Sequence, residues 1–323
     1  MSQNLHFPIS DDKFSQSHVT FLLDQYPNDK SKAIEYINRF TVKTPFGIFH
    51  KNPVSKRWSP VSMTILKLIC VSDQQLLKAW KTDSLLKNNV EIVMDPDSSD
   101  VIDEHGHLTK INLWVNTFPQ LLPFMTNDDI QKSVSKWTDH IHLICNHDSD
   151  ATENLINHFA QIFQRPGRRL CPVVFRNPTH HQQFITSIFV PISQILGPLN
   201  FVSLVGKTTI NSSHRTSRND EWAQSLIMFL MEPFSKTDVD ILDNEIIAIK
   251  HKRAKAFNIK NIINLFMESN TFVMRSTRPH ILIQGPDLSK NPQFTNTLTD
   301  TYFDCLQSVS PDALFLFLIN KKV

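Results

Sequence analysis

The sequence predicts an α/β protein: a central, mostly parallel sheet in the longer C-terminal part, preceded by a smaller N-terminal α/β unit. Three observations carry that expectation. Beyond about residue 110, short apolar runs of strand length alternate with longer stretches patterned at helical spacing, an order that favours a sheet with helices packed on its faces. The most apolar run, Leu226-Ile-Met-Phe-Leu-Met231, reads as a central strand buried on both sides. The acidic, turn-rich stretch from Asp95 to Gly106 separates this part from what precedes it. The boundary falls within residues 95–125, giving an N-terminal region 1–110 and a larger domain 111–323.

Residues 1–18 are polar and weakly patterned. Residues 19–39 hold two short helical pieces, Val19-Thr-Phe-Leu-Leu-Asp and Ala33-Ile-Glu-Tyr-Ile-Asn-Arg. Residues 40–58 are extended, with Gly47 and Pro53 as turns. Helical spacing returns over 74–87 through Leu76, Leu77, Trp80 and Leu85. Val90-Glu-Ile-Val-Met is a strand stopped by Asp95-Pro96-Asp97, and the following stretch to Gly106 is a loop. Residues 128–145 and 150–164 are helical, the second with Asp150 or Thr152 as N-cap and Arg165-Pro166-Gly167 as its end. Pro172-Val-Val-Phe is a buried strand. His181 to Leu196 is an amphipathic helix with Pro191 as a kink and Gly197 as its stop. Phe201-Val-Ser-Leu-Val is a strand, and residues 206–220 form a polar loop. Glu245-Ile-Ile-Ala-Ile and Ala256-Phe-Asn-Ile are the arms of a hairpin, Ile262 to Glu268 is another apolar strand, and residues 292–309 and 311–319 are closing helices.

Composition excludes several classes. With 41% hydrophobic residues and 23 Phe among 323 residues, the chain can build a core. Its 6 glycines are all isolated, where an average chain of this length has roughly 23, so no dinucleotide fingerprint G-x-G-x-x-G exists. A net charge of +2, from 33 basic and 31 acidic residues, argues against a globally basic nucleic-acid coat. Met1 to Pro8 shows no basic-then-apolar leader, so an intracellular protein, in the cytoplasm or nucleus, is expected. No apolar run approaches membrane-spanning length. Cys70, Cys145, Cys171 and Cys305 form no C-x-x-C pair, which suits a reducing compartment.

Seven segments, taken in order, suggest a family. Ala79-Trp80, Val90-Glu-Ile-Val-Met-Asp-Pro96 and Ile111-Asn-Leu-Trp114 resemble the entry region of virus- and phage-type primase-helicases, which carry a superfamily 3 helicase domain of the AAA+ kind. The run Glu153 to Gly167, with Arg165-Pro-Gly-Arg-Arg169, is similar to the helix ahead of that family's Walker A strand. Ala256 to Asn270 resembles the strand ending in the sensor asparagine. Tyr302-Phe-Asp-Cys-Leu and Ala313-Leu-Phe-Leu-Phe-Leu resemble the closing helices. The resemblance covers roughly residues 40–319. It implies an AAA+-like P-loop domain and a role in replication of a virus or mobile element. The partners it implies are DNA, replication proteins or an active helicase homologue, with an oligomer as an assembly state.

The departures from the family decide the expected chemistry. A phosphate loop needs G-x-x-x-x-G-K-[ST], glycines for wrapping amides and Lys for charge. This chain has Arg176-Asn-Pro-Thr-His-His-Gln-Gln-Phe184, with no Gly, no Lys and a Pro178 that lacks an N–H. Arg176, His180 and His181 are the residues left to hold a phosphate. Gly206-Lys-Thr-Thr209 imitates the tail of such a loop, but Phe201 stands at the first glycine and no helix start follows. At the Walker B equivalent, Met231 replaces the Mg²⁺-binding Asp and only Glu232 remains. Asn270 matches the sensor, and Arg275 or Arg278 the arginine region. The expectation is a catalytically degenerate protein without a cofactor. The alternatives are a divergent active ATPase, which would use ATP and Mg²⁺, and an interaction protein reusing the fold.

One element retains its chemistry. Lys250-His-Lys-Arg-Ala-Lys255 matches the hairpin that grips DNA backbone in this helicase class, which makes Lys250, Lys252, Arg253 and Lys255 the DNA-binding candidates. Arg165, Arg168 and Arg169 form a second, weaker basic patch. His140, His142, Cys145 and His147 are dense, but H-x-H-x-x-C-x-H leaves too little chain between ligand pairs for a zinc finger, and no metal is expected. The five Trp residues are spread out, as core packing requires.

Overall fold

The computed structural model describes residues 14–52, 55–82, 90–102, 108–119, 122–176, 182–205, 219, 222–231, 239, 242–251, 253–270, 279–286 and 300–323. The chain divides into two compact units. Residues 1–93, 98–115 and 251–257 form the first, and 94–97, 116–250 and 258–323 the second.

The first unit begins with α1 (Gln16–Gln25) and α2 (Ser31–Asn38), followed by an antiparallel sheet of β1 (Thr41–Thr44), β2 (Gly47–Lys51) and β3 (Trp58–Pro60). Next come α3 (Met63–Ile69) and α4 (Gln74–Thr82). A second small sheet has the order β4-β6-β5, from β4 (Glu91–Val93), β5 (Val101–Ile102) and β6 (Leu108–Asn112). Ser15 and Ser62 cap α1 and α3 by accepting from the backbone N–H groups of His18 and Ile65. The helices meet around Val19, Ile37, Leu66, Leu76 and Trp80. Trp80 donates its indole N–H to Asn38 Oδ1 at 2.9 Å. Asp100 is the polar anchor of the unit. It accepts from Lys51 Nζ at 2.6 Å, from the Trp58 indole at 3.0 Å and from Asn112 N at 2.8 Å.

The second unit is built on a five-stranded sheet, parallel throughout, in the order β13-β7-β12-β9-β8. Its strands are β7 (Val173–Arg176), β8 (Phe201–Val205), β9 (Ile227–Met231), β12 (Asn264–Glu268) and β13 (Ile281–Gln284). The α/β class and the parallel sheet read from the sequence are therefore present, and the four expected strands lie in one sheet. A separate hairpin joins β10 (Ile246–His251) to β11 (Ala254–Lys260). Asn264, wholly buried, ties the sheet's amino edge together. Its Oδ1 accepts from Leu170 N at 2.8 Å, and its Nδ2 donates to Leu226 O at 3.3 Å.

Among the described residues, the helices of this unit are α5 (Asn127–Ile144), α6 (Ser149–Gln164), α7 (Gln182–Thr186), α8 (Phe189–Asn200), α9 (Asp300–Gln307) and α10 (Pro311–Asn320), and α10 packs against α5, α6 and α8. Thr126 and Asp129 make a reciprocal capping box on α5. The cap of α6 is Asp148, which accepts from Ala151 N at 2.9 Å, and not Asp150 or Thr152, which lie inside the first turn. The helix expected over 181–196 is interrupted between α7 and α8, at residues 187–188, just ahead of Pro191. Pro191 is the third residue of α8, where a backbone N–H has no intrahelical partner to lose. Within α8 the departure from helical geometry lies at Gly197, with φ of 64°. Stacked rings fill the core, Phe159 on Phe266 at 4.9 Å and Phe189 on Phe229 at 4.5 Å. Among the described residues no single helix is long and apolar enough to cross a membrane.

Candidate functional site

In an open parallel sheet, ligand crevices form outside the carboxyl ends of the strands, where successive connections leave in opposite directions. Here β7 is followed by α7 and α8, which lead to β8 at one edge, whereas β12 is followed by β13 at the other edge. The switch point is therefore between β7 and β12. The register sets Glu268 of β12 beside Phe175 of β7 on one side and Met231 of β9 on the other, and pairs Arg176 with Gln284. Ser269 N donates to Phe175 O and Gly285 N to Arg176 O, both at 2.9 Å, which fixes the strand ends.

The structure thus gathers at one edge several residues that the sequence singled out separately. Arg176 ends β7, Met231 ends β9, and Asn270 stands two residues beyond β12, exposed. Arg176 is half-buried, and its Nε is buried without a hydrogen-bond partner among the described residues. His180, His181, Glu232, Arg275, Arg278 and the Gly206–Thr209 segment lie outside the described residues. Glu268 and Ser269 were not singled out from sequence. Only the strand register, which sets them beside β7, brings them to the switch point.

The β10–β11 hairpin alternates in burial, with Ile247, Ile249, Phe257 and Ile259 inward. Asn219 clamps its first arm. Asn219 Oδ1 accepts from Lys250 N at 2.6 Å, and its Nδ2 donates to Ala248 O at 2.8 Å. At the tip, Arg253 and Lys255 are exposed, Lys250 is half-buried, and Lys252 lies outside the described residues. The tip is braced rather than free. Lys255 N donates to Phe46 O at 2.7 Å, and Phe257 packs on Phe46 and Phe49 with ring centroids at 5.5 and 5.8 Å.

The weaker basic patch is split. Arg165 and Arg168 are exposed. Arg169 turns inward and donates to the carbonyls of Asp243 and Asn244 at 2.9 Å each, and to Leu242 O. Its five N–H donors suit such a strut.

The histidine cluster is taken up by structure. His140 is wholly buried, 2.8 Å from both Tyr302 Oη and Phe184 O and 2.9 Å from Ser187 Oγ. Burial pulls its pKa down from 6.5 to about 4, although the bond to Phe184 O opposes the shift. His142 Nδ1 is 3.0 Å from Thr152 Oγ1, and burial pushes the Cys145 thiol up to about 11. Among the described residues no group of three or more His, Cys, Asp or Glu side chains is placed to hold a metal ion.

No protein-family model matches the sequence, and no curated protein matches it. Solved structures do. The apo A form of the NrS-1 C-terminal region matches with a TM-score of 0.61 and 17% identity, over 87% of this chain and 65% of that one. A second A-form structure of the region gives 0.59 at 16% identity, and a further apo structure gives 0.58 at 16%, each covering 88% of this chain and 66% of the other. This chain therefore spans less than two thirds of the length of the structures it matches. At such identity the likeness is one of fold, and the chain shares the fold of much of the NrS-1 C-terminal region.

Proposed function

We propose that this chain is a catalytically degenerate, helicase-like protein that holds DNA backbone within the replication complex of a virus or mobile element. The observation that supports this reading is the carboxyl edge of the parallel sheet. Its topology offers a ligand crevice, but Met231 ends β9 where a Mg²⁺-binding acid is needed, and the segment after β7 supplies neither the glycines nor the Lys of a phosphate loop. These residues do not fit Mg²⁺-ATP, and no hydrolytic step is assigned to them.

The basic hairpin supplies the remaining chemistry. Arg253 and Lys255 point charge at solvent from a turn that also carries Lys250 and Lys252. Contacts of this kind are made to phosphates and carry no sequence information. Binding is therefore sequence-blind and falls steeply with salt. A fluorescence-polarisation titration of a labelled oligonucleotide at several salt concentrations tests this. Neutralising all four cations to Gln should remove most of the affinity, and each lost phosphate contact should lower the salt slope by about one unit. Equal affinity in wild type and variant would move the DNA site elsewhere. An absence of binding at low salt would favour the scaffold without nucleic acid.

A second reading has one observation behind it. The buried Nε of Arg176 at the switch point, without a partner among the described residues, suits a divergent phosphate site. In that case ATP should stabilise the protein and Arg176→Ala should abolish the stabilisation. The first reading expects no ATP-dependent thermal shift in either protein.

A further inference from the structure

Charge is spread unevenly along this nearly neutral chain. Between Glu35 and Asp73 stand six basic residues, Arg39, Lys43, Lys51, Lys56, Arg57 and Lys67, and no acidic one. Between Glu245 and Glu268 stand five, Lys250, Lys252, Arg253, Lys255 and Lys260, and again no acid. With 33 basic residues set against 31 acidic ones in the whole chain, both stretches are local excesses of positive charge.

The fold brings the two stretches together. The first supplies the β1-β2-β3 sheet, and the β10–β11 tip, residues 251–257, belongs to the same compact unit. The β1–β2 turn lies directly on that tip. Phe46 O accepts from Lys255 N at 2.7 Å, and a Cβ added to Gly47 would stand 3.4 Å from Arg253 O. Thr44 holds the turn in shape, its Oγ1 accepting from Phe46 N at 3.1 Å and from Gly47 N at 3.2 Å. Because Thr44 pairs with Gly47 across the turn, Lys43 stands one residue from the contact, and it is the exposed residue of β1.

Other cations of this unit are matched by acids. Arg39 is 3.7 Å from Glu35, Lys51 is 2.6 Å from Asp100, and Lys30 is 2.9 Å from Asp73. Lys43, Arg253 and Lys255 differ. All three are exposed, and none has an ion-pair partner among the described residues. Like charges gathered at one place repel one another, and a polyanion laid across them relieves the repulsion. A nucleic-acid backbone is such a polyanion, with a charge on every nucleotide. One turn offers it a single point of contact. Two turns side by side offer a track.

We propose that the nucleic-acid surface continues from the hairpin tip onto the β1–β2 turn, with Lys43 holding a phosphate beside those held by Arg253 and Lys255. This rests on the reading of the hairpin given above and adds to it a residue from a distant part of the chain. Lys43 acts as a point charge on a flexible stem, which tolerates any sequence and any local backbone geometry.

Fluorescence-polarisation titration of the whole chain with a labelled single strand and a labelled duplex, at several salt concentrations, tests it. The variants are Lys43→Gln, the pair Arg253→Gln with Lys255→Gln, and Lys132→Gln, which removes the same charge from an exposed position on α5. Lys43→Gln should keep the wild-type unfolding temperature and bind at least threefold more weakly at low salt. Its salt slope should fall by about 0.7 on the single strand or about 0.9 on the duplex, the loss of one phosphate contact. Lys132→Gln should change neither quantity. In a second readout, bound DNA should protect Lys43 and Lys255 from an acetylating reagent and leave Lys132 reactive. If the hairpin pair loses affinity while Lys43→Gln keeps wild-type affinity and slope, this extension is overturned and the hairpin reading stands. If Lys132→Gln weakens binding as much as Lys43→Gln, net charge is responsible and the extension is overturned. Unchanged reactivity of Lys43 in the complex overturns it as well. A wild-type chain that binds neither probe at low salt overturns both.

Discussion

Burial lowers the pKa of His140 and His158 from 6.5 to about 4 each, and it pulls that of His50 down as well. Between those values the unfolded chain binds protons that the folded chain refuses. The stability that His140 and His158 contribute therefore rises with pH from about 4 to about 6.5 and is constant above that range, until the raised Cys145 thiol begins to lower stability at alkaline pH. Each residue accounts for a difference of roughly 3 kcal/mol across the window, at 1.36 kcal/mol per unit. Denaturant unfolding at pH 7.5, 6 and 5 should show a falling midpoint, and His158→Phe should flatten part of the fall. A midpoint independent of pH would mean that these rings are not held neutral. At this scale the sequence was only partly legible. The spacing of His140, His142, Cys145 and His147 argued against a metal, but it did not show that His140 reaches Tyr302, 162 residues away. Arg169, Asn219 and Asn264 were illegible as clamps for the same reason. Their partners are carbonyls or N–H groups of distant chain, and every residue carries those.

The elements that could be read were those whose burial is written in side chains. β7, β9 and β12 present three or four consecutive buried residues each, and the long helices α5 and α6 repeat their apolar positions over several turns. The elements that escaped were decided by backbone pairing or were too short. β13 buries only Ile283 and exists because its main chain pairs with β7. β5 is two exposed residues in what read as a loop. α3 has seven residues, barely two turns, too few for a period to emerge. The hairpin was legible as a hairpin, but not its bracing. Gly47 has φ of 154°, and an added Cβ would lie 3.4 Å from both Ala254 Cβ and Arg253 O. Gly47→Val should therefore strain the turn and press on the hairpin tip, lowering the stability of the first unit by about 1–3 kcal/mol. Phe257→Ala, which empties the space between Phe46 and Phe49, should cost about 3–5 kcal/mol. Limited proteolysis of the 251–257 region reads both. Unchanged resistance would show that the tip is not held there.

For the whole molecule, the sequence foretold an α/β class and a parallel sheet because alternation of apolar strands and amphipathic helices admits few other layer arrangements. Strand order was beyond it. The insertion of β12 between β7 and β9 places Arg176, Met231 and Glu268 on one edge. Shared fold with the NrS-1 C-terminal region does not transmit activity, since chemistry resides in the side chains at the site. Those side chains support the proposal made above, that the sheet lacks the nucleotide chemistry of an active helicase. The most direct test is turnover of Mg²⁺-ATP by the purified chain, with and without single-stranded DNA. The account predicts phosphate release no faster than background under either condition, and the same result for Glu232→Gln. Turnover by the wild-type chain that disappears in Glu232→Gln would contradict it.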